Sequence, residues 1–133
     1  MSKAERKFDI ERFFRALADR TRLRLLNLLA NDEVCVCFLV EILETTQPNI
    51  SRHLAYLRRA GIVAARREGK WMHYRIVDPP DPYATSVLSG VREWLARDRE
   101  MERDRARLVR VCCAPELPMP LQAAPKPASV LYR

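Results

Sequence analysis

Glycine is scarce in this chain, with only Gly61, Gly69 and Gly90 among 133 residues. Phosphate-cradling loops of the GxGxxG or Walker type need several positions without a side chain, so nucleotide-dependent enzymes are disfavoured. No apolar run approaches the ~20 residues needed to cross a bilayer. The opening Met1-Ser2-Lys3-Ala4-Glu5-Arg6-Lys7 leads into no apolar leader, so the expectation is a cytoplasmic protein with no membrane partner. In a reducing compartment the four cysteines read as free thiols rather than as a disulfide framework. Aromatics are also few, at 8%, while apolar residues reach 48% and charged residues 31%, the balance of an ordinary folded domain. A chain of this length buries roughly two-thirds of its unfolded surface, enough for one real core.

What is abundant is positive charge, and it is concentrated. The net charge is +7, and between Arg52 and Arg75 seven basic residues (Arg52, Arg58, Arg59, Arg66, Arg67, Lys70, Arg75) face one acid, Glu68. A local surplus of that size points to a polyanion, most often nucleic acid, whose counterions are released as Lys and Arg approach the phosphates.

Apolar spacing of three and four residues predicts two helices between Phe8 and Ala30, with Asp19 capping the second. A short third helix carries Val36, Leu39, Ile42 and Leu43 and ends before Thr45-Thr46. Thr46 then caps a fourth, with Pro48 in its first turn and Gly61 closing it; Ile50, Leu54 and Leu57 face inward. Two β-rich runs, 62–67 and 71–77, surround Gly69 and predict a hairpin. After the prolines at 79, 80 and 82, helical spacing returns, and one continuous helix from Ala84 to Arg110 is expected, about 40 Å long and laced by the pairs Glu93/Arg97, Glu102/Arg105 and Asp104/Arg107. Such a length suits a dimer seam. Five of the nine prolines (Pro115, Pro118, Pro120, Pro125, Pro127) then make an extended, flexible tail. The organisation read is a DNA-binding and dimerisation domain over 1–110 and a Cys-Cys and Pro-rich tail over 111–133.

Helix, polar turn, capped helix and basic hairpin together outline a winged helix-turn-helix, mainly α with a small β-hairpin. The capped helix enters the major groove of double-stranded DNA. There Gln47 or Asn49 pairs with adenine, and Ser51, Arg52 and His53 donate to bases or phosphates. Arg66, Arg67 and Lys70 at the hairpin tip rest on neighbouring backbone. A basic helix alone reads equally well as a solvated face; the hairpin breaks the tie. His53 also suits a structural role, and Trp71 and Tyr74 suit packing better than base stacking.

The segments Glu33-Val34-Cys35-Val36-Cys37-Phe38-Leu39, Thr46-Gln47-Pro48-Asn49-Ile50-Ser51-Arg52-His53-Leu54 and Leu57-Arg58-Arg59-Ala60-Gly61-Ile62-Val63 resemble the ArsR/SmtB family of metal- and metalloid-responsive repressors. The resemblance covers Phe8 to Val77, and the last helix more loosely. It implies a homodimer built on the first and last helices, placing Phe13, Phe14, Val87, Val91 and Trp94 at the seam. It also implies repression of the protein's own operon until an inducer binds, with no resident cofactor and no enzymatic activity.

Cys35 and Cys37 lie at the entrance to a helix, which favours thiolate over thiol, and soft thiolates select thiophilic ions. Trivalent arsenic or antimony takes three sulfurs, whereas methylarsenite needs two. The arsenical-sensing motif of the family has Cys-Val-Cys-Asp-Leu-Cys; here Phe38 and Val40 replace the acid and the third cysteine. Cys112 or Cys113 is then expected to complete the site, against the alternative that the adjacent pair is incidental or forms a separate surface site. The family's zinc, nickel and cobalt sensors use Asp, His and Glu on the last helix, yet His53 and His73 both lie in the DNA-binding unit. Its cadmium and lead sensors recruit cysteines upstream of the Cys-x-Cys, and none precedes Cys35. As(III), Sb(III) or methylarsenite remains as inducer. Two rivals stay open: a thiol redox sensor on the same fold, and a thiol enzyme, for which no CxxC dithiol or poised base is visible.

Overall fold

The computed structural model describes residues 7–113 and 121–131. Helix α1 (Ile10–Leu17) and helix α2 (Arg20–Leu29) each begin on an aspartate whose carboxylate accepts an otherwise unpaired amide, Asp9 from Arg12 N at 2.9 Å and Asp19 from Arg22 N at 3.0 Å. Strand β1 (Val34–Cys35) leads directly into α3 (Val36–Leu43), which stops at Glu44 in a left-handed conformation. Thr46 Oγ1 accepts from Asn49 N and starts α4 (Gln47–Arg59), with proline in its first turn as expected. The chain then turns at Gly61, whose φ of +79° a side chain rarely adopts, into the hairpin of β2 (Val63–Glu68) and β3 (Trp71–Ile76).

The hairpin is not isolated. The sheet runs β1-β3-β2, antiparallel throughout, with Cys35 opposite His73 and His73 opposite Arg66. Two residues carry no visible periodicity, so β1 was not legible beforehand. Its consequence is that the first cysteine belongs to the same sheet as the wing.

The core is assembled from Phe13 on α1, Leu25, Leu26 and Leu29 on α2, Phe38, Leu39 and Ile42 on α3, and Ile50, Leu54 and Leu57 on α4, with Ile62 beneath the wing. Phe13 is 1% exposed, so this residue, expected at the dimer seam, packs inside the protomer instead. Only its neighbour Phe14 faces outward.

The long last helix is two helices. α5 (Pro82–Arg97) ends at Asp98, whose extended backbone (φ −77°, ψ 132°) breaks the run, and whose carboxylate accepts Met101 N to start α6 (Arg99–Cys112). Polar attachments hold α6 back against the body. Asn27 Nδ2 donates to Met101 O at 2.8 Å, Arg24 forks onto Asp104 at 2.7 and 3.1 Å, and Arg107 Nη1 donates to Ile42 O at 2.9 Å. Arg105 bonds Asn27 and the carbonyls of Leu95 and Ala96, satisfying the end of α5. The charges read as ladders along one helix therefore reach across to α2 and α3.

Helix α6 crosses position 110 and runs to Cys112. The prolines at 115, 118 and 120 lie outside the described residues. Where an extended, flexible tail is expected, residues 121–131 pack on the domain: Leu121, Ala124 and Pro127 are buried, and Ser129 donates through N and Oγ to Asp32 Oδ2 at 3.0 and 2.6 Å. A short helix, α7 (Ala128–Leu131), closes this segment. No described helix is long and apolar enough to cross a membrane.

Candidate nucleic-acid interface and thiol site

Helices α3 and α4 form the helix-turn-helix, and α4 presents Gln47 and Arg52 to solvent, with Ser51 half-buried beside them. Asn49 is engaged in the turn: its Nδ2 donates to Thr45 Oγ1 at 3.1 Å and its Oδ1 accepts from Arg52 Nη2 at 3.3 Å. His53 points toward the start of α2, where its Nδ1 lies 3.3 Å from Arg22 Nη1 and 3.8 Å from Asp19 Oδ1. Arg22 also lies over the Tyr56 ring at 4.4 Å and donates to the carbonyls of Ala16 and Arg15, so it pins α4 to the α1–α2 corner. Asn49 and His53 thus orient the reading helix from within the protein. The sequence offered that role for His53 as an alternative to DNA contact, but not for Asn49.

On the wing, Arg67 and Lys70 are exposed. Arg66, grouped with them by sequence, is exposed but not free. Its Nε and Nη2 donate to Glu33 Oε1 at 2.9 and 2.6 Å, and its Nη1 donates to Glu68 Oε2 at 3.1 Å. This fork holds the Glu33 carboxyl below the usual carboxylate range. Glu33 stands 33 positions from Arg66, and nothing in the local sequence links them.

The sulfurs of Cys35 and Cys37 are 3.0 Å apart, well beyond a bonded S–S length, with Cys35 buried and Cys37 half-buried. That distance suits an S–H of one cysteine donated to the sulfur of the other. The Cys37 S–H donated to Cys35 lowers the Cys35 thiol to about 7, against the opposing effect of burial, and the backbone amides of Cys37 and Val36 at the start of α3 add to it. Cys37, holding that proton beside a thiolate, is pushed far above an ordinary thiol. The pair therefore favours one thiolate, on Cys35, beside one thiol, on Cys37.

Cys112 is buried and Cys113 exposed. Burial pushes the Cys112 thiol up to about 11 despite the nearby Lys126. Among the described residues no three His, Cys, Asp or Glu side chains gather into a group able to hold a metal ion, so the protomer does not bring the 112–113 pair to Cys35 and Cys37. His73, opposite Cys35, is 4% exposed, and its Nε2 finds no hydrogen-bond partner among the described residues.

Large apolar side chains remain exposed on α1 and on α5: Phe14 is 51% exposed and Trp94 76%, accompanied by Ile10 on α1 and by Tyr83 and Val87 on α5, with Val91 half-buried.

Helix-turn-helix and basic wing define a winged helix-turn-helix DNA-binding protein. Residues 19–65 match the family described as bacterial regulatory protein, arsR family. The chain is 47% identical over 90 residues to the arsenic resistance transcriptional regulator ArsR1 of Pseudomonas putida, an alignment covering 64% of this chain and 70% of that protein. It is 37% identical over 102 residues to the arsenical resistance operon repressor of Escherichia coli, covering 76% and 86%. Among solved structures it resembles HlyU from Vibrio cholerae, with a TM-score of 0.56 and 28% identity over 65% of this chain and 91% of that one. It also resembles a homodimeric winged helix-turn-helix DNA-binding domain from Mycobacterium bovis, with a TM-score of 0.54 and 29% identity over 68% and 81%. The chain belongs to the arsR family of bacterial transcriptional regulators.

Proposed function

We propose that this protein is a homodimeric repressor of an arsenical-resistance operon that leaves its operator when a trivalent arsenical or antimonial condenses with Cys35 and Cys37. The 3.0 Å approach of the two sulfurs, between the wing sheet and the helix that braces α4, carries this reading. The Cys35 thiolate attacks the pnictogen and displaces hydroxide, and the Cys37 S–H displaces a second hydroxyl as water. Two S–pnictogen bonds replace two O–pnictogen bonds, and the oxidation state does not change. Methylarsenite, which keeps its methyl group as third substituent, fits this pair without help. Arsenite and antimonite gain a third sulfur from Cys112 or Cys113 if the partner protomer supplies it or the 121–131 segment lifts.

Gln47, Ser51 and Arg52 meet the major groove, Arg67 and Lys70 the flanking backbone, and Asn49 and His53 hold α4 in its reading pose. Phe14, Val87, Val91 and Trp94 pair the protomers, which sets the two reading helices about one DNA turn, ~34 Å, apart. Several phosphate contacts make operator affinity fall by ~10³ or more between 50 and 200 mM salt.

The test is operator-DNA anisotropy under reductant, titrated separately with arsenite, antimonite, methylarsenite, cadmium and zinc, on the wild type and on Cys35→Ser, Cys37→Ser, Cys112→Ser and Cys113→Ser. Release by arsenicals that requires Cys35 and Cys37 supports the proposal; a tail variant that also fails to respond adds a third sulfur. The same close sulfur pair favours a second reading, oxidation to a disulfide with a peroxide reduced to water. Release by peroxide alone, with arsenicals inert under reductant, would replace the first reading with that one.

A further inference from the structure

We propose that Glu33 is a positioning residue: it holds the wing in its DNA-reading pose and is the route by which the thiol pair lets the wing go. The inference rests on the function proposed above for its inducer arm, but not for its DNA-binding arm. Glu33 precedes Cys35 by two residues and carries the fork to Arg66 Nε and Nη2, with Arg75 Nη1 at 4.0 Å on its other oxygen. Arg66, His73 and Cys35 lie in one row across β2, β3 and β1, so their side chains share a face of the sheet.

The ladder between β1 and the wing is only two residues long, Val34 opposite Tyr74 and Cys35 opposite His73. A ladder that short holds register weakly, and the bidentate ion pair beside it supplies the rest of the attachment. Closing Cys35 and Cys37 onto one atom replaces a non-covalent S–H···S contact with a ring that fixes both side-chain torsions. Cys35 is the last residue of β1, so the strand must follow its sulfur. The Glu33 carboxylate moves with the strand, and the wing loses its anchor.

Simple charge bookkeeping predicts the opposite sign for the decisive variant. Glu33→Gln removes a negative charge from the basic face, and as a charge effect alone it tightens binding to phosphates. As the loss of a wing anchor it weakens operator binding by about fivefold, the upper range for a well-formed surface pair. The double variant Glu33→Gln/Arg66→Gln separates the two further: an anchor predicts that Glu33→Gln has no added effect once Arg66 is gone.

The experiment measures operator anisotropy at fixed salt for the wild type, Glu33→Gln, Arg66→Gln and the double variant. Amide exchange over residues 63–76 is followed in the same proteins, free and with methylarsenite, and thermal melting checks the fold. The expected result is weaker binding and faster wing exchange in Glu33→Gln with melting unchanged, non-additivity in the double variant, and wing exchange in methylarsenite-loaded wild type rising to the Glu33→Gln level. Binding by Glu33→Gln that is equal to or tighter than wild type, with wild-type wing exchange, overturns the inference. If methylarsenite fails to release wild type, the proposed inducer falls, while the sign of the Glu33→Gln effect still decides the anchor.

Discussion

Removing the proton donor of the thiol pair is the sharpest probe of its chemistry. The Cys35 thiol is lowered from 9.0 to about 7, first by the Cys37 S–H. At pH 7 about half of Cys35 is ionised, against roughly 1% for an unassisted thiol of that ordinary value. Cys37→Ala deletes the largest lowering contribution and leaves burial opposed by the two backbone amides, so the midpoint rises toward the ordinary thiol value. A less acidic thiol makes a stronger nucleophile, by about eightfold for two units at a Brønsted slope near 0.45. The loss of thiolate at pH 7, at most roughly 50-fold, is thus partly offset, leaving Cys35 slower toward a small disulfide at pH 7 by up to about sixfold. Well above pH 9 the variant becomes the faster protein. The assay is the ultraviolet thiolate titration with the disulfide rate alongside, in a Cys112→Ala/Cys113→Ala background. With the donor present, inducer capture slows tenfold per unit as pH falls below 7 and levels off above it. A Cys37→Ala midpoint still near 7 would refute the donated-proton account.

Four further outcomes follow from the packing. Trp94→Asp, at a site 76% exposed, should convert the dimer to monomer in sedimentation while leaving the protomer's melting nearly unchanged, whereas Phe13→Ala, at a site 1% exposed, should cost about 3–5 kcal/mol of stability. Asp98→Ala removes the cap that starts α6 and should lower stability by about 1 kcal/mol in denaturant unfolding, with the α5–α6 break retained because Asn27 and Arg105 still hold it. Asp32→Ala deletes the acceptor of both Ser129 donors, so the Cys112 thiol should become measurably more reactive to a bulky alkylating reagent as the 121–131 segment loosens.

Local rules carried far in this chain because they depend on neighbours a few residues away. Asp19 and Thr46 were readable as caps, Gly61 as the stop after α4, and the apolar spacing of Ile50, Leu54 and Leu57 as the buried face of the reading helix. The basic run from Arg52 to Arg75 and the Cys-Val-Cys at a helix entrance gave the chemistry its candidates for the same reason. What no window of sequence contains is the choice among partners that satisfy the same local rule. Phe13 and Phe14 are adjacent and both apolar, and only the packing of α1 sends one into the core and leaves the other exposed. Asp104 and Arg107 suit an ion pair along one helix, yet the buried face of α6 turns the first to Arg24 and the second to Ile42 and Glu44. Arg66 looked like a phosphate contact until β1 joined the sheet and brought Glu33 beside it. Helix periodicity and capping are short-range energetics that the order of residues settles directly. The bond between wing and thiol site is a contact over 33 positions, formed only because burying one core fixes where two distant segments meet.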